Sequence, residues 1–182
     1  MTVTDDEPTD LREALRVLAD RAEINDLIDR YVIALDTQDD YGFDDAWPRA
    51  VFTEDARVEF PVGTFTGLEG LARFHYEAKA KFDRTHHLSA NHSIGLHGDV
   101  AILRVHLIAS HVHRADGPDP GGRFDIGGYC DGEAVRTAEG WRLRFWKFHL
   151  MWSAGDGPAR GPEPWRLRTA QPRPRAEHQR HV

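Results

Sequence analysis

Apolar residues recur three or four positions apart at Leu11, Leu15, Leu18, Ala22, Ile28, Tyr31, Val32 and Leu35, with Ile24 and Leu27 widening the stripe. This spacing predicts one long amphipathic helix, capped by Thr9 or Asp10 and ending near Asp36–Asp39, where polar residues take over. A shorter helix is predicted over Phe43 to Val51, with Pro48 tolerated only in its first turn. The period then changes: Ala56-Arg-Val-Glu-Phe60 alternates as a strand does, and Gly63-Thr-Phe-Thr-Gly67 reads as a short hairpin or edge. Helical spacing returns at Leu71, Phe74, Ala78 and Phe82, which predicts a third helix over Leu68 to Phe82.

Beyond that point the pattern is that of strands, near 86–97, 100–114, 123–138 and 141–152. Gly98-Asp99, the Asp116–Gly122 loop and Glu139-Gly140 separate them as hairpin connections. Helices first and a meander of long antiparallel strands afterwards predict an α+β fold rather than an alternating parallel sheet. A curved antiparallel sheet closing over a long helix and two shorter ones leaves a conical pocket. Residues 1–9 read as a flexible leader and residues 10–155 as one domain. Residues 156–182 read as a Pro/Arg-rich tail, with Pro158, Pro162, Pro164, Pro172 and Pro174 opposing any strand and Trp165 and Leu167 as its main apolar residues.

Composition narrows the class. Forty per cent apolar residues, five of them Trp, suffice for one sizeable core in a chain of 182 residues. A net charge of -7 argues against a nucleic-acid partner, which calls for a basic face. The single cysteine, Cys130, excludes an internal disulfide and a cysteine-based zinc site. The acidic start and the lack of a long apolar run give no signal peptide and no membrane span, so the expected location is the cytoplasm.

The candidate chemistry lies in the histidines, eleven in all. His86, His87 and His92 fall on one predicted strand, His106, His111 and His113 on the next, and His149 on the last. His111 and His113 share a face because strand side chains alternate. In Phe145-Trp-Lys-Phe-His-Leu-Met-Trp152, His149 shares a face with Phe145, Lys147 and Met151, opposite Trp146, Phe148, Leu150 and Trp152. A pocket histidine exchanges protons near neutrality at low cost, provided a partner fixes its tautomer. Asp36, closing the helical stripe, is the candidate carboxylate, with a histidine near residue 87 as its partner, and Tyr31 on the inward stripe offers a phenol to a substrate oxygen. Against this, Asp36 also suits a helix end, and adjacent His86 and His87 cannot both face a pocket.

Arg21-Ala-Glu-Ile-Asn-Asp-Leu-Ile, Tyr31, Asp36, Ala46-Trp47 and Phe52-Thr-Glu-Asp-Ala56 together resemble the opening of nuclear transport factor 2-like proteins, in the branch of the SnoaL-type polyketide cyclases. Gly67-Leu-Glu-Gly70, Thr85-His-His-Leu-Ser-Ala-Asn91 and Gly140-Trp141 continue the resemblance, which spans about residues 10–153. The pattern is most similar to scytalone dehydratase, bile acid 7α-dehydratase and hexachlorocyclohexane dehydrochlorinase. The resemblance implies a cone of curved antiparallel sheet and three helices. It also implies a proton-abstracting pair of Asp36 and His87, with Tyr31 and His111 as further catalytic residues and Asn91 matching a residue of some members. Cys130-Asp131 stands where scytalone dehydratase has a substrate-binding asparagine, and His149 lies near where other members have an arginine, so the substrate does not transfer.

The leading expectation is a cofactor-independent lyase of the dehydratase type, or an isomerase or cyclase. His87, oriented by Asp36, removes a proton from carbon beside an electron-withdrawing group, and Tyr31 or His111 serves the oxyanion or the departing hydroxyl. Trp47, Phe60, Phe74 and Trp146, with Asn91, Asp131 and His149, are the expected substrate-binding residues for a small apolar, ring-containing molecule such as a polyketide, steroid or terpenoid. The alternatives are a non-catalytic small-molecule-binding or assembly module, and a metalloenzyme using His106, His111, His113 or His149 with Asp36. No established metal-ligand spacing supports the last, so no metal ligand is assigned. A homodimer, paired through a broad sheet face, is what the resemblance implies for assembly.

Overall fold

The computed structural model describes residues 7–37, 46–117 and 119–157. Its elements follow the order α1 (Glu7–Thr37), α2 (Ala46–Val51), β1 (Phe52–Phe60), β2 (Gly63–Thr66), α3 (Leu71–Lys79), β3 (Phe82–His97), β4 (Val100–His113), β5 (Arg123–Thr137) and β6 (Gly140–Ala154). The tail beyond Gly157, the first six residues and positions 43–45 of the second expected helix lie outside the described residues.

α1 starts at Glu7, so Thr9 and Asp10 fall inside it rather than capping it. Only its C-terminal half carries the core: Ile24, Leu27, Ile28 and Tyr31 are wholly buried, with Val32 beside them and Leu35 packed against the same cluster. Leu11, Leu15 and Leu18, expected to face inward, are 63, 56 and 62 % exposed, and Ala22 is exposed as well. The stripe continues along the helix, but the sheet it packs on does not reach that far. In α2, Pro48 is the third residue, within the first turn, where no intrahelical N–H bond is lost. α3 is shorter at both ends than its apolar spacing suggests, and Phe82 opens β3 instead of closing the helix.

One open six-stranded sheet runs in the order β2-β1-β6-β5-β4-β3. β3 to β6 form the expected antiparallel meander, turning at Gly98-Asp99 and at Glu139. β1 lies parallel to β6, which makes the sheet mixed rather than antiparallel throughout. Along β4 the pleat is plain: Leu103, Val105, Leu107, Ala109, His111 and His113 are buried, while Ile102, Arg104, His106 and Ile108 face out. The β5–β6 ladder has a bulge between Gly127 and Gly128 of β5, where β6 carries the extra residue, Met151, and a bulge bends its strand. A Cβ added there would collide with the Trp152 indole or the His149 carbonyl, so only glycine lets β6 approach at this bend. The concave face, closed by α1 and α3, is floored by Trp141, Trp146, Leu143 and Cys130.

Candidate active site

Between the C-terminal end of α1, α3 and the concave faces of β3 to β6 lies a cavity of about 150 Å³. Leu35, Phe60, Val62, Phe74, Phe82 and Phe148 make most of its wall apolar, and Phe124, Ile126 and Leu150 extend it. Into this wall are set His75, His87, His111, Thr85, Lys79 and Lys81.

Asp36 is the penultimate residue of α1, where the helix dipole opposes a negative charge. Three donors compensate: the Thr85 hydroxyl at 2.8 Å, the His87 backbone N–H at 2.7 Å, and His87 Nδ1 at 2.6 Å. Lys79 Nζ also donates to the Asp36 backbone carbonyl. Burial works against the charged carboxylate, but the hydrogen bonds from His87 and Thr85 prevail and hold Asp36 below the usual carboxylate range. Asp36 is therefore ionised near neutrality and can only accept, so His87 Nδ1 is the donor, and in the neutral ring Nε2 carries the lone pair. The strand pleat separates the two neighbouring histidines. The His87 side chain is 14 % exposed in the cavity wall, whereas that of His86 is 79 % exposed and comes no closer to Asp36 than 4.0 Å.

His111 stands edge-on to His87, ring centroids 5.7 Å apart. Its Nδ1–H donates to the Phe124 carbonyl at 2.9 Å, which leaves Nε2 as an acceptor in the neutral ring. Burial, the larger influence, and the nearby His87 both push its pKa down. The neutral ring therefore cannot donate to an oxyanion; it can accept from a substrate hydroxyl.

Tyr31 is not part of the cavity wall. It is wholly buried among Trp47, Phe52 and Trp146, and burial raises its pKa well above the usual phenol. Its hydroxyl donates at 2.9 Å to Nε2 of His75, whose Nδ1–H in turn donates to the Leu71 carbonyl at 2.9 Å. His75 is neutral, its pKa lowered to about 4 by burial. This histidine is absent from the residues singled out by sequence, yet it lies four positions after Leu71 and one after Phe74, on the buried stripe of α3. A polar residue on an apolar stripe was the available signal.

The expected substrate-binding residues divide. Phe60 and Phe74 line the cavity. Trp47 stacks on Tyr31 outside the lining, and Trp146, 1 % exposed, belongs to the core beneath it. Asn91, Asp131 and His149 lie on the convex face. Strand alternation turns Cys130 and Phe148 inward, so Asp131 and His149 point the other way. There Asp131 pairs with Arg104 at 2.7 Å and with His149 at 3.0 Å, and His149 stacks on Tyr129. Asn91, in a bulge of β3 with φ of 53°, reaches His106 at 3.1 Å. Among the described residues no three His, Cys, Asp or Glu gather as metal ligands. His106 and His149 face away from His111 and His113, and the latter two each bond a backbone carbonyl.

A model of the SnoaL-like domain matches residues 16–147. The terrestric acid biosynthesis cluster protein E of Penicillium crustosum is 30 % identical over 142 residues, covering 76 % of this chain and 88 % of its own length. A solved protein of Kribbella flavida is 32 % identical with a TM-score of 0.66, covering 76 % of this chain and 95 % of that one. The hexachlorocyclohexane dehydrochlorinase LinA-type3 of Novosphingobium barchaimii shares the fold at 16 % identity, with a TM-score of 0.67 over 83 % of this chain and 99 % of its own. The curved sheet over a long helix has the nuclear transport factor 2-like cone fold, and the chain belongs to the SnoaL-like domain family.

Proposed function

We propose that the chain is a cofactor-independent lyase of the dehydratase type, or an isomerase or cyclase using the same first step, acting on a small ring-containing molecule. The observation that carries this reading is the Asp36–His87 contact of 2.6 Å at the wall of an apolar cavity. His87 Nε2 takes a proton from carbon beside a carbonyl, and Asp36 stabilises the imidazolium that forms. In a dehydration the carbon–oxygen bond then breaks, and the same imidazolium returns its proton to the departing hydroxide, releasing water. His111 Nε2 accepts from the substrate hydroxyl and holds the leaving group within reach of His87. Tyr31 acts through His75, fixing the tautomer of a ring that lines the cavity. The similarity to a biosynthesis-cluster protein and to a dehydrochlorinase supports elimination chemistry in secondary metabolism. A homodimer in the cytoplasm completes the proposal; among the described residues no helix is long and apolar enough to cross a membrane.

Proton abstraction is common to the lyase, isomerase and cyclase routes, so it is the step to measure. β-Tetralone, a ring ketone with acidic α-hydrogens, is incubated with the protein in deuterium oxide and its exchange followed by proton NMR. The expected result is protein-dependent exchange that survives EDTA and falls about a hundredfold or more in Asp36→Asn. Full exchange in Asp36→Asn, or binding of the ketone with no exchange, contradicts the reading and favours a pocket that binds without turnover.

A further inference from the structure

We propose that Thr85 is a positioning residue that acts through Asp36, keeping the carboxylate aimed at His87 and the Nδ1 proton on the imidazole; this rests on reading the cavity as the acid–base site. The Asp36 carboxylate receives three hydrogen bonds. His87 supplies two of them, from its ring Nδ1 to Oδ1 at 2.6 Å and from its backbone N–H to Oδ2 at 2.7 Å. Thr85 supplies the third, from its hydroxyl to Oδ1 at 2.8 Å. Among the described residues no other group hydrogen-bonds this carboxylate, since His86 Nδ1 stays 4.0 Å from Oδ2. Thr85 therefore gives the carboxylate a hold that does not depend on the histidine it serves.

The hold follows from the fold. β3 is the last strand of the sheet, and Thr85 and His87, two apart along it, turn to the same face. Both line the cavity, and both reach the carboxylate that closes α1. Oδ1 is thus shared by donors from two residues, and it cannot swing away from His87 about the Cβ–Cγ bond without also losing the Thr85 hydroxyl. The hydroxyl governs the proton as well as the angle. Once His87 Nε2 has taken a proton from the substrate, the Nδ1 proton lies between an imidazole and a carboxylate. A second donor on Oδ1 lowers the affinity of the carboxylate for that proton and leaves it on the ring. Asp36 then stays charged, which is the state that stabilises an imidazolium. Burial opposes this charge, the contacts with His87 favour it, and the Thr85 bond adds to them in holding Asp36 below the usual carboxylate range.

The test uses three variants of the full chain. Thr85→Val removes the hydroxyl and keeps the branched shape that suits a strand, Thr85→Ala removes the hydroxyl without the branch, and Thr85→Ser keeps the hydroxyl. Two quantities are measured: the exchange of β-tetralone in deuterium oxide against ketone concentration, and the titration of the Asp36 carboxyl by carbon-13 NMR, assigned with Asp36→Asn. In Thr85→Val the maximal rate should fall about tenfold or more at an unchanged half-saturating concentration, the scale of one hydrogen bond to a charged group. The Asp36 midpoint should rise by about one unit. Thr85→Ala should show both changes and Thr85→Ser neither. The other titratable groups around Asp36 are His86, His87, His111 and Lys79 on its backbone carbonyl, and they are the same in every variant, so the midpoint reports the hydroxyl. A parental maximal rate in Thr85→Val and Thr85→Ala overturns the inference and leaves the Asp36–His87 pair standing. A rate lost while the Asp36 midpoint stays put also overturns it, and makes Thr85 a tether between α1 and β3. A Thr85→Ser variant as slow as Thr85→Val does the same. A parent protein that does not exchange the ketone overturns the acid–base reading, and the inference falls with it.

Discussion

At the scale of single residues, the site depends on three histidines whose tautomers are fixed by what their Nδ1 atoms donate to. His87 gives its proton to Asp36, His111 to the Phe124 carbonyl, and His75 to the Leu71 carbonyl. The result is three rings in the cavity wall with Nδ1 protonated, of which His75 has its Nε2 already occupied by Tyr31. In the sequence, Asp36 stands out because it closes a helical stripe, whereas alternation leaves His86 and His87 open and the family resemblance is what singles out His87. It did not show that Asp131 and His149 face out, because the motif fixes neighbourhood along the chain but a one-residue step reverses a strand side chain. His75 has a measurable consequence. Its folded pKa of about 4 lies below the ordinary 6.5, so the unfolded chain binds the proton first as pH falls. Stability is therefore unaffected above about pH 6.5 and declines toward pH 4, by about 3 kcal/mol in all. Asp36, also lowered, adds loss in the same direction only once the pH falls into the carboxylate range. Urea unfolding between pH 7 and pH 4.5 should show the decline in the parent protein and a clearly flatter profile in His75→Gln, which still accepts from Tyr31 but does not titrate.

At the scale of elements, α1 shows how far periodicity reaches. It gave the helix, its buried face and the position of Asp36, and it also marked Leu11, Leu15 and Leu18 as inward. The spacing of apolar residues defines a face; whether anything covers that face is decided by the length of the sheet opposite. Leu27→Ala should cost about 2–5 kcal/mol in urea unfolding, since its side chain is wholly buried against the sheet. Leu15→Ala, at a side chain 56 % exposed, should stay within about 0.5 kcal/mol of the parent. Equal losses at the two positions would mean that the N-terminal half of the helix is covered after all. The strands were legible for similar reasons, from alternation and from glycine-containing turns. The parallel contact of β1 with β6 was not, because it joins segments far apart in the chain with no local signal.

At the scale of the molecule, the sheet divides two environments. Its concave side holds the cavity and its convex side carries charged and aromatic groups, including Arg104 over the Tyr129 ring and the Asp131–His149 pair. Leu88, Ile102 and Ile108 are exposed on that side, and Leu88 and Ile108 are directly opposite on adjacent strands. This face is where the proposed homodimer would pair. Sedimentation equilibrium should give twice the chain mass for the parent protein and a shift toward monomer for Ile108→Asp. A parent protein that sediments as a monomer at every concentration would remove the dimer from the account.

The division between the two neighbouring histidines allows the most direct test of the acid–base claim. Exchange of β-tetralone in deuterium oxide is compared for the parent, His86→Ala, His87→Ala, and the double variant Asp36→Asn with His87→Ala. His87→Ala should lose about a hundredfold or more, and the double variant little beyond that, because the two residues act as one unit. His86→Ala should exchange at close to the parental rate, since its ring lies outside the cavity. Loss in His86→Ala with activity retained in His87→Ala, or parental exchange in both, would contradict the assignment of His87 as the base.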